Sequence, residues 1–143
     1  MYDIGSEAKN MKQMTFAAHI DNLNEVLAFI DGQLEEIGCP IKIQMQVDIA
    51  VEEIFVNIAS YAYTPNAGDA TIMIKLDAGV ISITFIDSGI PYNPLEKEDP
   101  DVTLPAEKRK IGGLGIYMVK KSMDNMRYEY RDGRNILTIE KNI

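Results

Sequence analysis

Residues 71–87 read TIMIKLDAGVISITFID, and the spacing of apolar residues in this stretch indicates the class of fold. Apolar residues fall at every second position on either side of Asp77-Ala78-Gly79, which is typical of two strands that each bury one face. The short turn between them predicts an antiparallel hairpin. Counting by two from Ile81 places Asp87 on the apolar face, at the end of the second strand.

Two amphipathic helices are expected before the hairpin. Between Leu23 and Ile37 apolar residues recur at three and four positions, with Asp21 as the expected cap and Gly38 at the end. A second helix is expected from Pro40 to about Tyr61. Its apolar face consists of Ile43, Val47, Ala50, Val51, Ile54, Phe55 and Ile58.

The rest of the chain adds strands and a third helix. A long loop with four prolines runs from Asp87 to Gly113, and a short helix follows it. Asp132-Gly133 predicts a second hairpin, and Met11–Ala18 is a further candidate strand. Helices and strands alternate in blocks, so we expect one α+β domain, residues 1–143, arranged as a two-layer sandwich.

Composition limits the classes of protein to which the chain can belong. The 143 residues carry a formal net charge of −8 at pH 7, which leaves no cationic excess for a nucleic-acid backbone. The single cysteine, Cys39, cannot form an internal disulfide, and with the single histidine, His19, it excludes most zinc sites. Residues 1–13 lack the apolar core of a signal peptide, and no apolar run is long enough to span a bilayer. We therefore expect a cytoplasmic protein that contacts neither nucleic acid nor membrane directly.

Glu53 and Asn57 interrupt the pattern of the second helix. They are four positions apart, so their side chains project along the same flank, beside the apolar face. One interpretation is a solvated glutamate beside a boundary asparagine. The other is a carboxylate and an amide that face a cleft, and the sequence leaves both open. Glu52 points away from the pair and is expected to be a surface charge.

Asp87 is the second interruption. A carboxylate on an apolar face is costly to bury unless a donor pairs with it. Either the strand ends early and Asp87 turns outward before Ser88-Gly89, or the carboxylate lies at the floor of a pocket. In the second case it would accept a donor such as the amino group of a purine.

Glycines cluster where the long loop meets the third helix, in residues 111–116, IGGLGI. Glycine lets a backbone approach a ligand closely, and the free amides at a helix start favour phosphate. The cluster is not a P-loop, because no Gly-Lys-Ser or Gly-Lys-Thr follows it. It is not a dinucleotide fingerprint either, because Met118 stands where the last glycine would be. A hinge or a tight helix entry is the other interpretation.

The three interruptions, taken in order, resemble the motifs of the histidine-kinase-like ATPase superfamily. Residues 53–57 resemble its N box, and residues 87–94 and 112–115 resemble its two glycine boxes. More narrowly, the whole chain resembles the bacterial anti-sigma factor serine/threonine kinases, which are stand-alone ATP-binding domains of partner-switching pathways. The resemblance implies an α+β fold of the Bergerat type, with a mixed, mostly antiparallel sheet and helices on one face.

The resemblance also implies roles for single residues. Asp87 would accept the adenine amino group, and Gly89 would let the base lie close against the backbone. Asn57 would ligate Mg²⁺, which commonly takes few protein ligands. Glu53 would be the general base that draws the proton from an attacking hydroxyl.

Around the phosphates, the resemblance places Gly112, Gly113 and Gly115 at the helix start and makes residues 88–112 an ATP lid. Arg109 is the candidate for offsetting phosphate charge, although the charged run around it can also be simply solvated. Pro91 stands where the wider superfamily often has a second glycine, and we interpret it as a mark of the anti-sigma subgroup.

The function implied is phosphoryl transfer from Mg·ATP to a serine or threonine of a small antagonist protein. Sequestration of a sigma factor would be the second activity, and the resemblance also implies a homodimer. A nucleotide-gated interaction module that binds ATP without phosphoryl transfer is the alternative. A binding domain that takes no nucleotide is a third possibility.

Overall fold

Five strands form one sheet in the computed structural model, which describes residues 11–96 and 113–143. The strands are β1 (Met11–Ala17), β2 (Asp69–Asp77), β3 (Val80–Asp87), β4 (Asn125–Arg131) and β5 (Arg134–Asn142). Their order is β1-β2-β3-β5-β4, and every pairing between these strands is antiparallel. The candidate strand at the start of the chain is therefore confirmed as β1, an edge strand.

The described residues also form three α-helices: α1 (Leu23–Glu36), α2 (Ile41–Asn57) and α3 (Gly113–Ser122). Shorter turns are a 3₁₀ turn before α1 (Ile20–Asn22), a π-helical turn after α2 (Ile58–Ala62) and a 3₁₀ turn after β3 (Pro94–Glu96). Within the described residues, no helix is both long enough and apolar enough to cross a membrane.

Both predicted hairpins are confirmed, and each has a two-residue turn. Ala78 and Gly79 join β2 to β3 with φ angles of 52° and 77°, and Asp132 and Gly133 join β4 to β5 with φ angles of 55° and 78°. Two successive positive φ angles are the requirement of a type I′ turn, whose twist matches that of the strands. Glycine adopts this conformation without strain, which explains why it holds the second position of both turns.

The core lies between the sheet and the helices. Alternate residues of β2, β3 and β5 are buried on the helix-facing side, as the period of two requires. The largest fully buried side chains include Phe55, Phe85, Ile30, Leu34, Ile72, Ile81, Ile83 and Ile139. The opposite face carries hydroxyl pairs between strands, Thr15 with Thr71 and Thr84 with Thr138. This arrangement confirms the two-layer α+β sandwich with helices on one face.

The start of the first helix differs from the prediction, because Asp21 is not its cap. Asp21 lies inside the 3₁₀ turn, where its backbone N–H donates to His19 Nδ1 at 3.1 Å. The helix begins two residues later, and the Asn22 side chain before it donates to Ala17 O at 2.9 Å instead of capping the helix. In place of a side-chain cap, the 3₁₀ turn connects the start of α1 to β1.

Asp48 lies between α2 and α1 in an acidic surrounding. Its Oδ1 is buried and receives no hydrogen bond from the described residues. The pKa of Asp48 is raised from its ordinary 3.8 to about 7, and burial of the carboxyl is the largest cause. Asp31, to which a protonated Asp48 can donate, and the negative charges of Asp31 and Glu35 contribute the rest of this rise. Gln44, one turn earlier on α2, donates to Asp31 Oδ1 at 3.1 Å and joins the two helices.

We expect the raised pKa of Asp48 to make the protein less stable as the pH rises from about 4 to about 7. In this window the folded state binds a proton that the unfolded state has released, so folding is favoured on the acidic side. Asp48→Asn should flatten this part of the stability curve and raise stability at pH 8, as measured by urea unfolding at several pH values. Glu52→Gln, an exposed change one turn along the same helix, is the control. An unchanged slope in Asp48→Asn would contradict the expectation.

Candidate functional site

A cleft of about 300 Å³ opens between the helices and the end of the sheet where β3 finishes and β5 begins. Apolar and aromatic side chains form most of its wall. The lining residues are Ile54, Asn57, Ile58, Tyr61, Ala62, Phe85, Asp87, Ile90, Tyr92, Pro94, Ile116, Tyr128, Asn135 and Leu137. A mostly apolar wall with a few polar groups is the usual composition of a small-molecule site.

Asp87 lies at the floor of this cleft and is only 7% exposed. It is the last residue of β3, on the face that packs against the helices. Asp87 therefore does not turn outward, and its carboxylate lies at the floor of a pocket, which was the second of the two interpretations. Its Oδ1 accepts hydrogen bonds from Gly89 N and from Asn135 Nδ2, each at 2.9 Å. These two donors offset much of the cost of burying the carboxylate.

Asn135 is a site residue that the sequence analysis missed. It stands directly opposite Asp87 in the register of β3 with β5 and is 6% exposed. Like Asp87, it is a polar residue on a strand face that is otherwise apolar, in series with Leu137 and Ile139. That interruption of the period of two could have identified it.

Tyr128 and Tyr92 hold the other side of the Asn135 amide. The Tyr128 hydroxyl donates to Asn135 Oδ1, and Tyr92 N donates to the same oxygen at 3.0 Å. Burial is the largest influence on the Tyr128 hydroxyl and raises its pKa above the ordinary value, so the hydroxyl stays protonated and able to donate at neutral pH.

The segment after β3 is tied to the turn that follows α2. Ile90 N donates to Ala62 O at 3.0 Å, and Ser88 N donates to the Tyr63 hydroxyl at 2.7 Å. Gly89 passes so close to Ala62 that a Cβ added at Gly89 would overlap the Ala62 carbonyl. Only glycine lets these two backbones approach in this way.

Glu53 and Asn57 come together at the C-terminal end of α2, as their spacing predicts. Asn57 Nδ2 lies 3.5 Å from Glu53 Oε1, in a partly buried position, and Asn57 lines the cleft. The Glu53 carboxylate lies against Gly115 of α3, where an added Cβ would overlap both of its oxygens. Glycine at the start of α3 therefore makes room for the carboxylate.

Asn57 suits a magnesium ion better than a transition metal. With its Nδ2 towards Glu53, its Oδ1 is the atom that remains to act as a ligand, and Mg²⁺ prefers oxygen ligands. No group of three or more His, Cys, Asp or Glu side chains gathers within residues 11–96 and 113–143 in a way that could hold an ion. A metal held by one or two protein atoms and by a bound substrate fits these residues.

Of the predicted site residues, Asn57 and Asp87 line the cleft. Glu53 contacts Asn57, Gly89 donates to Asp87, and Gly115 lies against Glu53. Gly113 is the first residue of α3. Arg109, Gly112 and the part of the predicted lid from 97 to 112 lie outside the described residues, and their roles stay predictions. Glu52 is exposed, as expected of a surface charge.

Residues 16–141 match the model of a protein family described as the histidine kinase-like ATPase domain. A serine-protein kinase RsbW from Bacillus mycoides (strain KBAB4) is 30% identical over 93 residues, which cover 62% of this chain and 58% of that protein. A protein of the same name from Bacillus cereus (strain B4264) is 31% identical over 93 residues, with the same coverage. The match therefore spans a little over half the length of these curated relatives.

A solved structure of the RsbU and RsbW domains of Rv1364c from Mycobacterium tuberculosis has a similar fold. The TM-score is 0.67 with 18% sequence identity, and the superposition covers 92% of this chain and 32% of that one. At this identity the likeness shows the fold.

The close contacts of Gly89 and Gly115 predict different effects of the same substitution. Gly89→Ala should destabilise the protein by about 1–3 kcal/mol, because the new methyl group meets a backbone carbonyl. Gly115→Ala should leave stability near the original value, because the methyl group meets the mobile end of Glu53 and displaces it from Asn57. Thermal melting and crystal structures of both variants test this.

Gly32→Ala on α1 is the matched control for these two variants, since nothing lies within 4 Å of the added Cβ. It should stabilise the protein by up to about 1 kcal/mol. Equal melting temperatures for Gly89→Ala and Gly32→Ala would contradict the close approach at Gly89.

Proposed function

The chain belongs to the family of histidine kinase-like ATPase domains, and on that premise we propose that it is an ATP-dependent protein serine/threonine kinase. Its substrate would be a serine or threonine of a small antagonist protein. Sequestration of a sigma factor in the cytoplasm would be its second activity, and the working form would be a homodimer. The whole chain would act as one domain of this kind.

The observation that carries the proposal is a paired carboxylate at the floor of an apolar cleft. Asp87 is held there by Gly89 and Asn135, and its other oxygen, Oδ2, receives no donor from residues 11–96 and 113–143. The exocyclic amine of adenine is a donor of the right kind for that oxygen. The apolar walls would enclose the flat faces of the base.

Glu53 would act at the far end of the bound nucleotide. Its carboxylate, beside Asn57 and Gly115, would accept the proton of the attacking serine or threonine hydroxyl. The hydroxyl oxygen would form the new bond to the γ-phosphorus while the bond from that phosphorus to the β–γ bridging oxygen breaks, releasing ADP. Most of the catalysis in such transfers comes from positioning and charge neutralisation.

Asn57 would hold Mg²⁺ through its side-chain oxygen. When bound, the ion would neutralise phosphate charge, and it would need few protein ligands to do so. The amide of Asn57 would at the same time keep the Glu53 carboxylate beside the cleft, since the two side chains are in contact.

Glycines at the start of α3 and residues of the predicted lid would complete the phosphate end of the site. In the proposal, Gly112, Gly113 and Gly115 line the phosphates at the start of α3, and Arg109 offsets their charge. Residues 88–112 would act as the lid. The free amides at the N-terminus of a helix are a suitable phosphate site, which supports this part of the proposal.

The names of the similar proteins support kinase activity over simple binding. Both Bacillus relatives are called serine-protein kinases, and we extend that activity to this chain as part of the proposal. The alternative, a nucleotide-gated interaction module, would keep the ATP site and lack transfer. Incubation with radiolabelled ATP and the antagonist protein separates the two, because only a kinase labels the antagonist.

Glu53→Gln tests the catalytic role. The amide cannot accept the hydroxyl proton, so labelling of the antagonist should fall by a factor of about 100 or more while ATP affinity changes little. Glu52→Gln is the matched control, because it removes the same charge from the exposed neighbouring position. Equal loss of binding and transfer in Glu53→Gln would refute the role of general base.

Asp87→Asn tests the nucleotide site by calorimetric titration with Mg·ATP. The substitution removes a charged acceptor from a buried position, so ATP affinity should fall more than tenfold, about 1.4 kcal/mol or above. Asp77→Asn, at the exposed end of β2, is the control and should bind ATP as the original protein does. If the original protein is folded and binds no ATP, the kinase and the nucleotide-gated module are both excluded, and a binding domain that takes no nucleotide is the possibility that remains.

A further inference from the structure

Oδ1 of Asp87 has no acceptor capacity left. A carboxylate oxygen accepts hydrogen bonds through two lone pairs, and Gly89 N and Asn135 Nδ2 each donate to Oδ1 at 2.9 Å. Among the residues that the structure describes, none donates to Oδ2. The carboxylate that lines the cleft therefore presents one open oxygen to a ligand, not two.

The Asn135 amide is fixed in the orientation that makes it a donor to Asp87. Its Nδ2 donates to Ile90 O at 2.9 Å as well as to Asp87, while its Oδ1 accepts from Tyr92 N at 3.0 Å and from the Tyr128 hydroxyl. Both amide hydrogens and both oxygen lone pairs are used. A reversed amide would place donors against donors, so no other orientation satisfies the surrounding groups.

Adenine and guanine present different donors to such a carboxylate. Adenine offers one donor group, its exocyclic amine, beside an acceptor ring nitrogen. Guanine offers two adjacent donors, a ring N–H and an exocyclic amine, which together match both oxygens of a fully available carboxylate. Where only one oxygen accepts, a donor of guanine stays unpaired in a buried site, and this lowers affinity about ten- to a hundredfold.

We propose that Asn135 determines the base specificity of the cleft, because its occupation of Asp87 Oδ1 leaves a single-oxygen acceptor that suits adenine and rejects guanine. This inference rests on the proposed binding of ATP and extends it to a residue outside the recognised motifs. Asn135 acts through Asp87 and is in this sense a positioning residue. The same amide also sets the backbone at Ile90 and Tyr92, which form part of the cleft wall.

Calorimetric titration with Mg·ATP and Mg·GTP tests the proposal in the Asn135→Leu variant. Leucine has the same branched arrangement of four side-chain heavy atoms as asparagine and donates no hydrogen bond, so Asp87 Oδ1 regains one acceptor position. The preference for ATP over GTP should shrink about tenfold, mainly because GTP binds more tightly. A purely structural role for Asn135 would weaken both nucleotides by the same factor and leave their ratio unchanged.

Thr138→Val is the matched control. Thr138 lies three residues further along β5, is also buried, and pairs with Thr84 at 3.0 Å on the face away from the helices. Its replacement removes a buried hydrogen bond from the same strand without touching the cleft. The ratio of ATP to GTP affinity in this variant should equal that of the original protein.

Tyr128→Phe provides a second test that does not alter Asn135 itself. It removes one of the two donors to Asn135 Oδ1 and so loosens the amide, while the core volume is kept. The nucleotide preference should shift in the same direction as in Asn135→Leu, by a smaller factor. This variant decides the matter if Asn135→Leu does not fold in a circular dichroism melt.

The outcomes separate this inference from the proposed function. An original protein that binds ATP and GTP equally well, or variants whose ratio stays within twofold of the original, would overturn the role of Asn135 and leave nucleotide binding intact. An original protein that binds neither nucleotide would overturn the proposed function, and the inference with it.

Discussion

The buried carboxylate of Asp87 is the constraint on which the geometry of the cleft depends. It ends β3 on the apolar face of the sheet, where an unpaired charge would be costly. Its two hydrogen-bond donors come from different parts of the chain. Gly89 N lies two residues after Asp87, and Asn135 Nδ2 lies directly opposite it on the paired strand β5. The same pairing thus fixes the course of the chain after β3 and the floor of the cleft.

Two glycines bring the remaining parts of the site together. Gly89 lets the segment after β3 lie against the carbonyl of Ala62, and Gly115 lets α3 lie against the carboxylate of Glu53. In both places a methyl group would occupy the space of the neighbouring atoms. The end of α2 is therefore packed between the segment after β3 and α3, and this packing places Glu53 near the cleft.

Much of the fold could be predicted because its signals are local. The alternation in residues 71–87 and the two glycine turns need only neighbouring residues to form, and the structure has both hairpins where they were expected. The prediction that Asp21 caps the first helix was wrong, because the backbone of Asp21 is part of a 3₁₀ turn that joins β1 to the helix. Arg109 stays a prediction, since it lies outside the described residues.

Spacing along the chain was enough to predict which residues face the core and which polar residues interrupt that face. The helical period brings Glu53 beside Asn57, and the strand period turns Asp87 inward, since both effects depend only on spacing along the chain. The hydrogen-bond partner of Asp87, in contrast, depends on how the strands pair in the folded protein. Asn135 is 48 positions away in sequence, and the two meet because strand pairing sets their register, which local periodicity does not specify.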